Sequence, residues 1–177
     1  MRIDRKAIAS LSISLAITAL ALWLGPQLSQ QQLVAWGYFG VFVLMLVTSA
    51  TVILPVPGLA VVVILGHYTN PFLLGIAAGL GSGLGELSGY LAGYGAEGIF
   101  RKKEGVRYRA LRDWMFRQNN GALALFLLAL IPNPAFDLAG IVAGATRYPW
   151  WKFLVAVVLG KTIRSIVLAW LGSELWL

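Results

Sequence analysis

Each of two long apolar stretches of this 177-residue chain is interrupted by a pair of prolines. The motif Pro-Val-Pro-Gly lies at 55–58 within the stretch 36–66, and Ile-Pro-Asn-Pro lies at 131–134 within 121–146. Because proline lacks a backbone N–H and disfavours helix at the residue before it, neither stretch is expected to form one straight helix. Each is either a kinked helix or a re-entrant pair of half-helices, whose turns would be formed by Pro55, Pro57, Gly58, Pro132 and Pro134.

The composition places these stretches in a membrane. Hydrophobic residues make up 59% of the chain, charged residues only 12%, and the mean hydropathy is +0.78, whereas soluble domains average about 25% charged residues. A soluble globular protein and a disordered chain are both excluded. The chain has no cysteine and one histidine, His67, which excludes a disulfide framework and an ordinary zinc site. No metal or other cofactor is expected.

The net charge of +7 is concentrated in two segments that flank apolar runs. Residues 1–7 carry a net +2 and residues 99–118 a net +5, which together account for the whole excess. Since no basic face remains outside these segments, nucleic acid is not an expected partner. The positive-inside rule instead places both segments, and with them the N-terminus, in the cytoplasm.

These features predict an all-α, polytopic integral membrane protein. An N-terminal unit, 1–36, would contain a transmembrane helix over 8–24 and an outer loop over 28–34, and the main membrane domain would cover 37–177. That domain divides into repeat 1 (37–98), an amphipathic cytoplasmic segment (99–118) and repeat 2 (119–172).

The segment 99–118 alternates basic and apolar residues at helical spacing. A helix of this kind lies on an anionic inner leaflet with its apolar side towards the lipid. Its apolar positions are Val106, Ala110, Leu111, Trp114 and Met115.

The two interrupted stretches resemble each other. The proline motifs match at an offset of 77, and Gly66, Pro71 and Phe72 match residues 144, 149 and 150 at an offset of 78, which also sets Glu86 against Arg164. Charge favours re-entrant hairpins over full spans, because Arg147 and Lys152 then lie on the same side as 99–118. The repeats would then be inverted, an arrangement that points to a transporter-type site at the membrane midplane.

Four ionisable residues lie in or beside the predicted spans, where lipid does not tolerate them unpaired. Glu86 lies near the centre of its span, and Arg164 lies at mid-depth in the last span. Lys161 is three residues before Arg164, so it shares the same face of that helix but lies nearer the inner side of the membrane. The candidate site is a polar cavity between the repeats, in which the two bases bind an anionic group and an acid titrates; the alternative is static ion pairs that fix helix packing. Its candidate residues are Glu86, Asp137, Lys161, Arg164, Asn133 and Tyr90.

Glycines recur at G-x-x-x-G spacing between 75 and 95. No strand precedes them and no Lys-Ser/Thr follows, so they do not form a nucleotide loop. They predict close helix packing, either within the chain or in a homodimer. Because no catalytic triad pattern surrounds Ser82 or His67, an enzyme is not expected.

Three groups of residues in this order resemble the VTT-domain (DedA, SNARE-associated Golgi protein) superfamily over 37–172. They are Pro-Val-Pro-Gly at 55–58, Gly85-Glu86 with Tyr90 and Gly93, and Ile-Pro-Asn-Pro at 131–134 with Gly140 and Gly144. The resemblance implies two opposed re-entrant hairpins, and it implies lipid scrambling, flipping of undecaprenyl phosphate or proton-linked transport. Many members carry an acid after the first motif and arginines beside the second, where this chain has Leu59, Ala129 and Ala135.

We therefore expect movement of a lipid or lipid-linked phosphate between leaflets. The expected partners are membrane lipids, including anionic or polyprenyl phosphate headgroups. One alternative is a proton- or ion-coupled transporter of a small solute with Glu86 as the titrating group. The other is a membrane scaffold that moves nothing and recruits partners through its glycine-rich and basic helices.

Overall fold

A computed structural model describes residues 30–50, 58–103, 105–117, 120–132 and 136–174. The predicted first transmembrane helix over 8–24 lies outside these residues, as do Pro55, Pro57, Asn133 and Pro134. Every regular element in the described ranges is a helix: α1 (Gln30–Ala50), α2 (Gly58–Tyr68), α3 (Pro71–Gly85), α4 (Leu87–Lys103), α5 (Gly105–Phe116), α6 (Asn120–Leu130), α7 (Phe136–Ala145) and α8 (Trp150–Glu174).

The predicted outer loop over 28–34 is wrong in its larger part, since α1 begins at Gln30. Glutamine has a good helix propensity, and no proline or glycine follows until Gly37. Polar residues alone do not interrupt a helix when no proline or glycine lies among them, so the glutamines belong to α1.

Among the described residues, two helical segments are long and apolar enough to cross a membrane, namely Pro71–Gly98, which comprises α3 and most of α4, and Trp150–Glu174, which is α8. The first begins with Asn70 as its N-cap, whose side chain accepts hydrogen bonds from the N–H groups of Phe72 and Leu73 at 3.0 and 3.2 Å. By contrast, α2, α6 and α7 have only 10 or 11 residues. At 1.5 Å per residue they reach about half of a ~30 Å hydrocarbon core.

Helices α1 and α2 run in opposite directions. Near the start of α1, the Tyr38 hydroxyl oxygen accepts a hydrogen bond of 3.0 Å from the N–H of Asn70, just after α2 ends. At the other end, a Cβ on Gly58 would lie 2.8 Å from the sulfur of Met45, so the start of α2 is packed against the second half of α1. The chain therefore reverses direction between α1 and α2.

Helices α6 and α7 make a second reversal of the same kind. Gly121, in the first turn of α6, lies against the ring of Tyr148, which follows α7. Ala129 and Phe136, on either side of the second proline motif, belong to one buried apolar cluster.

The long segments form the centre of the bundle, and the hairpins pack on them. Helix α3 packs against α8 in antiparallel register, because Gly75, Gly79 and Gly83 face residues in descending order along α8 (Ile166, Thr162 and Val158). A Cβ at any of these glycines would overlap the facing helix. Helix α1 packs on α3 and α2 on α8, while α6 packs on α8 and α7 on α4. Small residues thus let the backbones approach within the chain, as predicted from the glycine spacing.

The turn from α7 to α8 carries the one described non-glycine residue with a positive φ, Arg147 at 55°. The N–H groups of Arg147 and Tyr148 donate to the carbonyls of Gly144 and Ala143, both at 2.9 Å, which closes the end of α7 as a Schellman motif normally completed by glycine. The Arg147 side chain compensates for the strained backbone by binding Glu97 at 2.5 Å and lying over the Tyr94 ring.

The basic segment 99–118 includes the end of α4, which extends to Lys103, and the helix α5, which begins at Gly105. Of the predicted lipid-facing residues, Val106, Leu111 and Trp114 are exposed. Met115 instead is buried, and its sulfur accepts a hydrogen bond from the Thr146 hydroxyl at 3.3 Å. One apolar residue of α5 therefore fastens this basic helix to the end of the bundle where α8 begins.

Candidate functional site

The candidate site is a buried ion pair between the two long segments. Glu86 lies at the junction of α3 and α4 and is 3% exposed, while Lys161 lies in the middle of α8 and is 4% exposed. The Lys161 Nζ is 2.5 Å from the Glu86 Oε1. Two charges buried this deeply require each other, since an unpaired ion pays a desolvation cost of several kcal/mol.

The helix interruption at Glu86 is small. Its N–H donates to the Ser82 carbonyl at 3.4 Å, and its own carbonyl accepts from the N–H of Tyr90 at 3.1 Å. Lys161 adds a second contact there, because its Nζ donates to the same Ser82 carbonyl at 3.4 Å. The lysine therefore binds both the carboxylate and the backbone of the last turn of α3.

Helix α7 closes the site from the side. The Phe136 ring centroid lies 5.0 Å from the Lys161 Nζ, a cation–π distance. A Cβ on Gly140 would lie 3.6 Å from the Glu86 Oε2, an ordinary van der Waals contact, so α7 passes directly beside the carboxylate. The pair is thus surrounded by both long segments and one arm of the second hairpin.

Next to the pair, α8 carries polar side chains that the protein does not satisfy. Arg164 is half-buried and close enough to Glu86 for their charges to interact. Within the described part of the chain, its Nε has no hydrogen-bond partner, and neither do the buried hydroxyls of Thr162 and Ser165. Donors left unsatisfied at the centre of a membrane bundle are costly, and they are available to a polar group that enters.

The structure brings together some of the predicted site residues and separates others. Glu86 and Lys161 are in contact, with Arg164 beside them. Tyr90 points elsewhere, since its hydroxyl donates to the Tyr148 carbonyl at 2.6 Å and its ring packs on Phe153. Asp137 is the second residue of α7. Of the predicted turn residues in the described ranges, Gly58 begins α2 and Pro132 follows α6.

Sequence reasoning missed Phe136 and Gly140 as parts of the charged site. No polarity marks either residue, and only the position of Gly140 one turn after Phe136 would have placed both on the same side of α7. Within the described residues, no group of three or more histidine, cysteine, aspartate and glutamate side chains is placed to hold a metal.

Comparison with known families matches the VTT domain over residues 56–174, which is most of the chain. The chain belongs to the VTT-domain family. The VTT domain begins inside the first proline motif and includes α2 to α8, so it contains both halves of the Glu86–Lys161 pair. It follows that this is a membrane protein.

Several relatives that match part of the chain are named as vacuole membrane proteins. Vacuole membrane protein KMS2 of Arabidopsis thaliana is 36% identical over 59 residues, which is 32% of this chain and 14% of the relative. The Dictyostelium discoideum vacuole membrane protein 1 homolog is 47% identical over 45 residues (25% and 11%), and human vacuole membrane protein 1 is 46% identical over 46 residues (26% and 11%). The matches thus span no more than 14% of these relatives' length. No solved structure matches the chain.

Proposed function

We propose that the protein moves lipids or a lipid-linked phosphate between the leaflets of a membrane. The observation that supports this most is the buried Glu86–Lys161 pair with the unsatisfied Arg164 Nε beside it, midway along the longest helices. A guanidinium is well suited to a phosphate because it offers several donors in one plane. In this proposal Arg164 binds the headgroup, while Lys161, already bound to Glu86, keeps the surroundings polar.

The proposal includes an inverted repeat, which the reciprocal glycine contacts support. Gly66 lies against the carbonyl of Ala169 and Gly172 against that of Val63; likewise, Gly144 lies against Tyr90 and Gly93 against Ile141. These contacts correspond at an offset of 78 in the hairpin arms (66 to 144, 63 to 141) and 79 in the long segments (93 to 172, 90 to 169). Each hairpin thus packs its second arm on the long segment of the other half.

The offset of 79 changes the correspondence of the charged residues. Glu86 now corresponds to Ser165, not to Arg164, and Ser82 corresponds to Lys161, which it contacts. The proposed two-fold axis passes near Gly81 and Gly160, between the pairs Gly79–Thr162 and Gly83–Val158. The ion pair therefore lies close to the axis, where inverted-repeat transporters bind their substrates.

The short arms of the two hairpins suit a path for headgroups. The arms α2, α6 and α7 have 10 or 11 residues and reach only to about mid-membrane, whereas α1 has 21; the ends of these three arms would leave backbone polar groups near the site. Such groups lower the barrier for a charged headgroup because they replace part of its hydration.

Vesicles reconstituted with the protein test the function. We expect fluorescent anionic phospholipid to cross between leaflets faster than in empty vesicles, and Arg164→Gln to slow the movement about ten-fold, since a charged hydrogen bond contributes about 1.5–3 kcal/mol. The matched control is Arg112→Gln, an equal charge change on exposed α5, with no expected effect. Movement no faster than in empty vesicles, for anionic and zwitterionic lipids alike, rejects the proposal and leaves coupled solute transport and the scaffold as the alternatives.

Ion-coupled transport of a small solute is the second candidate, and the burial of the Glu86 carboxylate favours it. The same vesicles separate the two functions. A scramblase equilibrates lipids without any ion gradient, whereas coupled transport stops when the gradient is removed.

The orientation is a second part of the proposal. We place the basic helix α5 and the Arg147 turn, which contact through Met115 and Thr146, on the cytoplasmic side of a cell membrane with the N-terminus inside. His67 would then lie outside, because the segment Pro71–Gly98 separates the two ends.

Single-cysteine labelling tests this orientation, since the chain contains no cysteine of its own. In intact right-side-out cells or spheroplasts, we expect His67→Cys to react with an impermeant maleimide and Arg147→Cys to react only after permeabilisation; both positions are exposed. Both variants should react fully in detergent. Labelling of the two positions from the same side of the intact membrane contradicts the inverted repeat.

A further inference from the structure

A groove of about 420 Å³ lies between α6 and α8, outside the central site. Its lining is apolar except at one end, where Lys152 lies beside Trp151 with its Nζ 5.4 Å from the ring centroid. The main lining residues are Ala122, Phe126, Trp151, Val155 and Leu159, with Lys152 at the rim.

The position of the groove determines what surrounds it. Trp151, Val155 and Leu159 are each more than half exposed on one face of a helix that is long and apolar enough to cross a membrane. In a membrane protein such a face contacts acyl chains, and the residues from 151 to 159 extend about 12 Å from the start of α8. The groove therefore lies within one leaflet, with Trp151 and Lys152 at its headgroup level.

The charge around this end of the bundle is positive. Helix α5 carries Arg109 and Arg112, is followed by Arg117, and is attached here through Met115. The ring of Phe116 packs edge-to-face on Tyr148, two residues before α8. At the corresponding position of the other half, 79 residues earlier, Lys152 is replaced by Leu73. The position that corresponds to Lys152 in the other half therefore carries no cation.

We propose that this groove binds one anionic phospholipid of the leaflet bordering α5, with an acyl chain between α6 and α8 and its phosphate on Lys152. The apolar groove suits the acyl chain of such a lipid, while the single cation and the indole ring at its mouth suit the anionic headgroup. The site differs from the central ion pair, and it requires only that the protein lies in a membrane. It selects lipid at the surface of the bundle whether or not lipid then crosses.

Quenching of Trp151 fluorescence by brominated acyl chains tests the proposal. The full chain is placed in phosphatidylcholine nanodiscs containing increasing amounts of either dibrominated phosphatidylglycerol or dibrominated phosphatidylcholine. The signal of Trp151 is obtained by subtracting that of Trp151→Phe. We expect half-maximal quenching at about five-fold less phosphatidylglycerol than phosphatidylcholine, because one basic residue near the membrane surface favours an anionic lipid to about that extent.

Two charge-matched variants identify the cation. Lys152→Gln should abolish the five-fold preference, while Arg109→Gln on exposed α5 should keep it. Equal quenching by both lipids in the wild type, or equal effects of the two variants, overturns the proposal. Absence of quenching by either lipid also overturns it, since a second copy of the chain would then cover the groove. The measurement needs no lipid movement, so its outcome is separate from that of the scrambling assay.

Discussion

Lys161→Met is expected to destabilise the folded protein by about 3–5 kcal/mol, because it leaves the Glu86 carboxylate buried without its cation. Methionine keeps most of the length of the lysine side chain and its contact with the Phe136 ring, so lost volume contributes little. The measurement is the free energy of unfolding in a mild detergent, followed by the loss of helical circular dichroism as a denaturant is added.

The double variant Glu86→Gln/Lys161→Met separates the ion pair from packing. A neutral amide no longer needs the cation, so we expect the double variant to recover most of the stability lost in Lys161→Met. Lys152→Met, a matched change near the start of the same helix, should cost less than about 1 kcal/mol. Additive losses in the double variant would show that the two side chains do not depend on each other.

The sequence predicted the charged residues of the site but did not determine their pairing. Glu86 is conspicuous because it is an acid within an apolar run, and Lys161 and Arg164 share one face of α8 because they are three residues apart. The axial register of α3 against α8 then decides which base lies beside the acid. That register is set by the backbone contacts of Gly75, Gly79 and Gly83, which depend on tertiary packing.

Local signals predicted the broken helices well and the helix ends less well. Within the described residues, α6 ends at Leu130, just before Ile131 and Pro132 of the second proline motif, because proline acts through its own backbone. The burial of Met115 depends on a neighbour distant in sequence, Thr146. From the sequence alone, a basic surface helix such as α5, which one buried residue attaches to the bundle, cannot be distinguished from a helix whose whole apolar face contacts lipid.

Gly144→Ala is expected to cost about 1–3 kcal/mol, because its new methyl group would overlap the carbonyl of Tyr90. A backbone carbonyl cannot change its rotamer to relieve the overlap as the end of a side chain can, so α7 must move away from α4. Such a shift also moves Phe136 and Gly140 away from the ion pair, because both belong to α7. The variant should therefore lose lipid movement as well as stability.

Gly95→Ala, in α4, is expected to change the stability in the opposite direction. A Cβ at Gly95 meets nothing within 4 Å, and the residue lies in the helix interior, so alanine should stabilise the protein by about 0.5–1 kcal/mol.

The proposed two-fold correspondence extends the test, since Gly66→Ala places its methyl group on the carbonyl of Ala169 and should behave like Gly144→Ala. Unfolding free energies of the three variants in one detergent decide the matter. If Gly144→Ala were as stable as Gly95→Ala, the close approach of α7 and α4 would be wrong; if Gly66→Ala alone were stable, the two halves would not be equivalent.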